Sequence, residues 1–512
     1  MVSEVQSAAI YGIDGLPIRV EADVSEGMPM FQMVGYLSSE VREARERVST
    51  ALRNSGFALP VKRITVNLYP ADIRKSGTGF DLPVALAILS ATGVIPPDAF
   101  WDTFVIGEVN LQGNVCPIPG VLPIVAKAAE LQIKRILVPA QNRVEAELLG
   151  GIEVIPVESI NGAVDYLTGD YEIPPREAQG EAKEASAPDF AEIKGQKLLK
   201  RACEIACAGM HNLLMIGPPG AGKSMAAKRL PSILPEMDRK EQMETSKIQS
   251  VAGLLTGATA LSKRRPFRSP NHTATLQGMA GGGTIPRPGE ISLAHNGVLF
   301  LDELTEFSPQ VLEVLRQPME DHEITIARAN GSYRYPAKFM LVAAMNPCQC
   351  GYYPDRNKCR CTRRQLDRFL GKISEPVIDR MDLAVGIKAV AFEELSGESK
   401  GESSAAIRRR VEEAQSIQRA RYRGEAFRFN SALPAGLIKQ YVPLDAAARD
   451  YLEEVFFRRN LTARGYHKIL KVARTIADLS GKDRIDETCL AEAVCYRGVE
   501  KRDWEPEERN RD

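Results

Sequence analysis

The sequence lacks the features of membrane proteins, secreted disulfide scaffolds and strongly charged binders. It has no run of about 18 apolar residues. Its first residues, MVSEVQSAAIYGIDG, show no charged start followed by an apolar core. The formal net charge is zero, so no overall field favours nucleic acid or a bilayer surface. Nine cysteines, an odd number, argue against a disulfide scaffold, and we expect a reducing, cytoplasmic setting.

The 512 residues are enough for several domains. The stretch 172–189 has two consecutive prolines, small residues and scattered charge, which predicts a linker. Before it, alternating helix and strand patterns predict an α/β domain over residues 1–171. After it, we expect an α/β core over residues 190–398 and a charged, helical domain over residues 399–512.

Local periodicity supports the first of these domains. One segment, which Ser39 would cap, carries apolar residues at helical spacing: Val41, Ala44, Val48, Ala51 and Leu52. RITVNLYP places Ile64, Val66 and Leu68 on one face of a predicted strand. A further helix is predicted over 81–92.

The segment GPPGAGKS fits the phosphate-binding pattern G-x-x-x-x-G-K-[ST] in full. It follows the apolar segment HNLLMIG and opens a predicted helix, as the chemistry requires. The loop consists of Gly217, Pro218, Pro219, Gly220, Ala221, Gly222, Lys223 and Ser224. We expect its backbone N–H groups to surround the phosphates of ATP, Lys223 to contact the β- and γ-phosphates, and Ser224 to bind Mg²⁺.

Two later strands end in polar residues that suit the same chemistry. LFLDE ends in Asp302, which would hold Mg²⁺, and Glu303, which would polarise the attacking water. FMLVAAMN ends in Asn346. This amide would orient the water or the γ-phosphate, although a plain turn residue fits the chemistry equally well.

Hydrolysis of a terminal phosphate also needs cations on the developing charge, and arginine is the usual supplier. Arg380 in PVIDRMD and Arg464 in TARGYHK are candidates. The chain has 66 lysines and arginines, so chemistry alone does not single these two out.

Four cysteines, Cys348, Cys350, Cys359 and Cys361, form the pattern C-x-C-x8-C-x-C. Two interpretations stay open. Four thiolates can give a structural, tetrahedral Zn²⁺ site, although the single-residue spacing within each pair is tighter than usual. Alternatively, they are reduced thiols in a surface loop.

The whole chain resembles the YifB/ComM family of magnesium-chelatase-like AAA+ ATPases. The motifs that carry the resemblance are GPPGAGKS, RPFRSPNH, PGEISLAHNGVLFLDEL, AAMNPCQCGY, DRFLGKISEPVIDRMDL and LKVARTIADL. The resemblance implies an α/β fold with a Lon-protease-like (ChlI-type) N-terminal domain, a P-loop AAA+ core and a C-terminal helical lid.

The same resemblance assigns roles to the later residues. Asn346 matches the sensor-1 position, Arg380 the arginine finger that enters a neighbouring subunit's ATP site, and Arg464 the sensor-2 arginine of the lid. A finger supplied by a neighbour implies a ring, which is a homo-hexamer in this family. ITIARANGSYRYPAKF (324–339) looks like the presensor-1 hairpin, which points into the pore of related rings.

The N-terminal domain resembles the ChlI-type domain, which shares the Lon-protease fold, in RITVNLYPADIRKSGTGFDLPVAL and GEVNLQGNVCPIPG. Gly79 stands where the protease pattern has its serine, and Ile124 where it has its lysine. Because that proteolysis needs both groups, we expect this domain to be proteolytically inactive. Its expected use is DNA binding or ring assembly.

Basic clusters at 263–268, 358–364 and 408–410 are candidate contacts for DNA phosphates. The resemblance implies action on single-stranded or branched DNA, as a branch-migration helicase in recombination of imported DNA. Two alternatives stay open: a motor subunit for magnesium insertion into a porphyrin, and an ATP-driven protein remodeller.

Overall fold

A computed structural model describes residues 2–175, 188–255, 261–328, 331–355, 357–389 and 401–497. Most of the predicted linker, 172–189, lies outside these ranges, as does the end of the chain from residue 498. Among the described residues, no helix combines the length and apolar character needed to cross a bilayer.

The N-terminal unit is an α/β domain. Its strands are β1 (Val2–Tyr11), β2 (Asp14–Ser25), β3 (Met30–Val34), β4 (Arg63–Tyr69), β5 (Thr103–Val105), β6 (Glu108–Val109), β7 (Val115–Cys116), β8 (Arg135–Pro139) and β9 (Glu153–Val157). Its helices are α1 (Ser39–Asn54), α2 (Asp81–Ala91), α3 (Val121–Glu130), α4 (Arg143–Ala146) and α5 (Ile160–Thr168). Seven strands form one sheet in the order β3-β4-β2-β1-β5-β8-β9.

The periodic segments of this unit form the predicted helix and strand. The predicted cap at Ser39 is wrong, because Ser39 is the first helical residue of α1 and Ser38 occupies the N-cap position. The apolar stripe of α1 is buried along its whole length, from Val41 to Leu52. The apolar face of β4 is buried as well. The antiparallel β1–β2 ribbon was not predicted, and it pairs Val2 with Asp23 at one end and Tyr11 with Asp14 at the other.

The described part of the second unit contains a five-stranded sheet and two separate two-stranded ribbons. Its strands are β10 (Leu213–Ile216), β11 (Phe267–Arg268), β12 (Gly281–Gly282), β13 (Arg287–Pro288), β14 (Val298–Leu301), β15 (Glu323–Arg328), β16 (Gly331–Pro336), β17 (Met340–Met345) and β18 (Leu383–Gly386). Its helices are α6 (Lys197–Gly209), α7 (Lys223–Ala227), α8 (Leu230–Ile233), α9 (Arg239–Ala252), α10 (Leu276–Ala280), α11 (Glu290–Leu293), α12 (Pro309–Val314), α13 (Arg316–Asp321), α14 (Arg363–Leu370) and α15 (Glu375–Ile378). The sheet is parallel, with the order β11-β14-β17-β10-β18, and the ribbons are β12–β13 and β15–β16.

The strands of this sheet bury both faces, as expected for a parallel sheet covered by helices. Leu213 and Met215 face one apolar core, and Leu214 and Ile216 face the other. The first core continues into the C-terminal helices α16 (Ser404–Arg421), α17 (Ile438–Tyr441), α18 (Ala446–Arg458), α19 (Ala463–Leu479) and α20 (Glu487–Cys495). The fold is therefore the expected α/β class with a helical C-terminal region.

The N-terminal unit packs on the second unit at α9 and at the β15–β16 hairpin. The rings of Tyr11 and Tyr333 lie 4.6 Å apart, and the Tyr11 hydroxyl donates to the Ser332 carbonyl at 2.9 Å. The Gly120 N–H donates to the Ser250 carbonyl at the end of α9. The hairpin predicted over 324–339 is present, and residues 329–330 lie outside the described part.

Candidate active site

Three neighbouring strands end at one edge of the five-stranded sheet with residues that the sequence singled out. Gly217 follows β10, Asp302 follows β14 and Asn346 follows β17. Since β10 and β14 both pair in parallel with β17, their carboxyl ends meet at the same edge. This edge is where open α/β sheets bind ligands.

Lys223 lies at the first position of α7, with a buried side chain. Its Nζ donates to the carbonyl of Gly217 at 2.6 Å, to that of Pro218 at 2.9 Å and to Asn346 Oδ1 at 3.1 Å. Burial lowers the pKa of Lys223, although the nearby carboxylates of Asp302 and Glu303 favour the charged form. The loop thus holds a buried cation where a phosphate would replace the carbonyl partners.

Gly220 and Gly222 of the loop have φ angles of +74° and +91°. Only glycine enters this region without strain, which lets successive N–H groups turn toward one point. Ser224, one residue after Lys223, donates from Oγ to Asp302 Oδ2 at 2.5 Å. A hydroxyl and a carboxylate oxygen in contact are a donor set that Mg²⁺ prefers.

Glu303 has a left-handed backbone, with a φ of +51°, which is strained for a residue other than glycine. Its N–H donates to Asp302 Oδ1 at 3.0 Å. Its carboxylate is largely exposed and lies 3.6 Å from Nδ1 of His272. This turn separates the two acids, because Asp302 faces Ser224 while Glu303 points away into solvent. His272 was not assigned a role from the sequence, although it ends the motif RPFRSPNH.

Arg380 lies at the opposite edge of the sheet from the P-loop. It precedes β18, and its carbonyl accepts a hydrogen bond from Asn212 Nδ2 at 3.0 Å. Asn212 directly precedes β10, and Gly217 directly follows it. The chain from Asn212 to Gly217 therefore spans roughly 16 Å, at about 3.3 Å per residue.

Arg464, at the start of α19, lies beside Arg380 and not beside the P-loop. The guanidinium of Arg380, about 10% exposed, pairs with Glu320 and donates from Nη1 to the Pro376 carbonyl at 2.7 Å. That of Arg464 lies 3.4 Å from the same Glu320 carboxylate and 3.5 Å from Asp379. One carboxylate, which the sequence analysis missed, therefore brings both arginines together.

The arginines line a cavity of about 500 Å³ at this edge. Lys468 lines it too, and burial lowers the pKa of this lysine to about 8. Lys468 Nζ donates to the Met381 carbonyl at 3.0 Å. The cavity is thus lined by four lysine and arginine side chains, because Lys471 lines it as well, and an anion from outside the subunit would meet them.

The four cysteines of the C-x-C-x8-C-x-C pattern converge. Their sulfur atoms lie within 4.8 Å of one another. Cys348 Sγ lies 3.3 Å from that of Cys350 and 3.8 Å from that of Cys359. Ligand sulfurs around a tetrahedral Zn²⁺ lie about 3.8 Å apart, given Zn–S bonds of about 2.3 Å.

The cysteines of this cluster differ in the pKa of their thiols. Burial would raise the pKa of Cys350, but hydrogen bonds from the Tyr352 backbone and Cys348 lower it to about 6. Burial raises the pKa of Cys359 to about 12. Four thiols this close cannot all ionise unless a cation compensates their charge.

In the N-terminal unit, the two positions predicted to have lost protease chemistry face one cavity. Gly79 and Ile124 both line a space of about 330 Å³, together with Ser76, Thr78 and Glu108. The described residues that line it include no lysine. Its rim is completed by residues of the second unit, among them Tyr333 of the hairpin.

Two of the three basic clusters are largely neutralised within the chain. Arg265 is buried and pairs with Glu241 at 2.9 Å, and Arg268 pairs with Glu290 at 2.6 Å. Arg408 and Arg410 pair with glutamates on α16 and α6 and with others in adjacent loops. The third cluster runs from the last two cysteines into the first turn of α14, and its basic side chains are exposed: Lys358, Arg360, Arg363 and Arg364.

Comparison with known proteins covers almost the whole chain. Residues 20–142 match the family described as subunit ChlI of Mg-chelatase, and residues 189–395 match magnesium chelatase, subunit ChlI. Residues 401–497 match the C-terminal family of the same subunit.

Full-length relatives share this arrangement. The chain is 40% identical to the uncharacterized protein YifB of Salmonella typhimurium over 501 residues, and 40% identical to the competence protein ComM of Haemophilus influenzae over 503 residues, covering 97% of both chains in each case. Similarity to the magnesium-chelatase 38 kDa subunit of Rhodobacter capsulatus is 27% identity over 219 residues, 39% of this chain and 59% of that one. The chain therefore belongs to the YifB/ComM family of magnesium-chelatase-like AAA+ ATPases.

Proposed function

We propose that this protein is a ring-forming, ATP-driven motor that moves DNA, as a branch-migration helicase in the recombination of imported DNA. The observation that carries the proposal is the division of the catalytic groups between two edges of one sheet. Lys223, Asp302 and Asn346 occupy the carboxyl edge, and Arg380 and Arg464 the amino edge.

The two edges belong to different ATP sites in this proposal. The segment that carries Arg380 is fixed by Asn212 to the far end of β10, so Arg380 does not serve the P-loop of its own subunit. A ring closes such a head-to-tail contact, and a homo-hexamer is the form we propose. Both guanidiniums would exchange Glu320 for the phosphates of the neighbour's nucleotide, since the phosphate oxygens compete for the same donors.

Within one subunit, each group has a defined task. Lys223 binds the β- and γ-phosphates, and Ser224 and Asp302 would hold Mg²⁺, which supplies charge neutralisation at the phosphates. Glu303 accepts a proton from the attacking water, for which its exposed carboxylate is suited. Asn346, already in contact with Lys223, orients the water or the γ-phosphate.

DNA as the substrate is supported by the similarity to a competence protein and by the exposed third basic cluster. The cluster follows Asn346 along the chain, so phosphate contacts there lie close in sequence to the ATP site. The Rhodobacter magnesium-chelatase subunit aligns over only part of this chain, which favours the DNA motor over porphyrin metallation.

Charge reversal of the third basic cluster is expected to weaken DNA stimulation without changing basal turnover. In the double variant Arg363→Glu/Arg364→Glu, which lies after the last cysteine at the start of α14, the DNA concentration that gives half-maximal ATPase should rise about tenfold or more, and the salt slope should fall by about 1–2. ATPase assays with branched and single-stranded DNA at several salt concentrations measure both. Lys439→Glu, an exposed lysine of the helical region, is the control. A wild-type rate that neither DNA changes, with no binding at low salt, would instead favour a protein remodeller.

We also propose that the four cysteines hold one structural Zn²⁺ ion per chain. The sulfur positions fit a tetrahedral site, and Cys348 and Cys359 are buried at the centre of a small apolar cluster with Leu366. Four thiolates without an open position suit a structural role.

Metal analysis of the purified chain is expected to find about one zinc per chain. Cys350→Ser should release it at lower chelator concentration, because one sulfur ligand is lost. Cys495→Ser, an exposed cysteine outside the cluster, should keep the wild-type content. Zinc well below one per chain in the wild type, after purification without chelators and incubation with zinc, would rule the site out.

A further inference from the structure

We infer that the metal ion held by the four cysteines sets the affinity of the P-loop for ATP. This inference rests on the proposed zinc centre and extends it from local folding to the nucleotide site. It follows from two connections between the cysteine loop and the residues that contact phosphate.

The first connection is a direct contact between the cysteine loop and the P-loop. Gly351 has a φ of +86°, and a Cβ added there would lie 2.7 Å from Cδ of Pro219. The Gly351 backbone is therefore packed on the third residue of the P-loop, at a distance that leaves no room for a side chain. Gly351 directly follows Cys350, so its position is fixed by the same turn that carries a metal ligand.

The second connection runs through Asn346. Only Pro347 separates Asn346 from Cys348, and Cys348 is fully buried among the other sulfurs. Asn346 Oδ1 accepts the hydrogen bond from Lys223 Nζ at 3.1 Å. Cys348 thus anchors Asn346, which accepts the hydrogen bond from Lys223. Cys350 anchors Gly351, which packs on Pro219.

A bound cation would make these two anchors rigid. It neutralises four crowded thiolates and holds Cys348 and Cys361, the first and last cysteines of the loop, as ligands of the same ion. Without it, the sulfurs separate and Gly351 loses its fixed place against Pro219. ATP must then order the P-loop as it binds, and the apparent affinity falls in proportion to the fraction of ordered loops.

Metal removal tests the inference on the unmodified protein. The full-length chain is stripped with a zinc-selective chelator in excess Mg²⁺, and binding of a fluorescent, non-hydrolysable ATP analogue is measured before and after. We expect the Kd to rise about fivefold or more on stripping and to return when zinc is restored. Circular dichroism of the stripped protein shows whether the rest of the fold is intact.

Gly351→Ala tests the contact itself while keeping all four ligands. We expect zinc content to stay at the wild-type level and the Kd for the analogue to rise about fivefold or more, because the new methyl group displaces Pro219. Gly424→Ala is the matched control. Gly424 has a similar φ of +92°, but a Cβ there meets nothing within 4 Å. That variant should bind the analogue within about twofold of wild type.

The outcomes distinguish the loss of coupling from the absence of the zinc centre or of the ATP site. Zinc-loaded protein whose Kd changes less than about twofold on stripping and in Gly351→Ala would overturn the coupling and leave the zinc centre standing. Protein that takes up no zinc would overturn both. Lys223→Ala is expected to bind no analogue. A wild-type chain that binds none either would instead refute the proposed ATP site.

Discussion

Replacing Glu303 with glutamine is expected to lower kcat for ATP hydrolysis by about 100-fold or more, because a general base contributes about 10²–10⁴ to such a step. ATP binding should stay within about twofold of wild type, because no hydrogen bond or ion pair joins Glu303 to Lys223 or Ser224 among the described residues. The strained turn at Glu303 keeps its carboxylate free of Asp302, so the amide fits without disturbing the Ser224–Asp302 contact.

Steady-state phosphate release and analogue binding measure the two quantities. Glu306→Gln is the matched control, because Glu306 lies three residues later, is exposed and pairs with Lys372 at 3.2 Å. That variant should hydrolyse ATP at close to the wild-type rate. Full turnover by Glu303→Gln would show that another group activates the water.

Arg380→Ala is expected to lower ATP turnover by about 10³-fold, the scale of a missing arginine finger. Nucleotide binding should persist, because the P-loop at the opposite edge of the sheet is untouched. Turnover and binding are measured as for Glu303. Arg458→Ala removes an exposed arginine that pairs with Glu454 in the same helix, and it should leave turnover unchanged. An Arg380→Ala variant that loses binding but keeps kcat would contradict the assigned role.

The nucleotide-binding edge was predictable because its groups follow a recognisable order of residues along the chain. A strand, the P-loop and a helix follow one another within residues 213–227, and Asp302 and Asn346 each follow an apolar strand. Parallel pairing then brings these ends together without further information. The positions of Arg380 and Arg464 were not predictable in this way. Their common partner, Glu320, is 60 residues from Arg380 and 144 residues from Arg464.

The first strand of the chain, β1, shows a different limit. The residues that β1 buries include Ser3 and Ser7 between small or apolar ones. Alternation of apolar and polar residues, the usual strand signal, is therefore missing, although Gly12 at the turn with Asp14 marks a hairpin.

Sequence also overestimated the basic surface. Arg265 looks like part of a cationic patch, yet its guanidinium is buried against Glu241 and the carbonyl of Asn296. The partner carboxylate lies 24 residues earlier, so the pairing depends on how α9 packs. Burial of this kind removes an arginine from the set that can meet DNA phosphates.

The central claim is that each ATP site is built from two subunits, and a mixing experiment tests it directly. Arg380→Ala subunits keep the P-loop and lack the finger, whereas Lys223→Ala subunits keep the finger and lack a working P-loop. Each variant alone should be inactive. In an equal, randomly assembled mixture, half of the subunits have a working P-loop and half of these meet an intact finger, so about a quarter of wild-type turnover should return. A mixture that stays as inactive as its components, although native mass spectrometry shows mixed rings, would contradict the shared site.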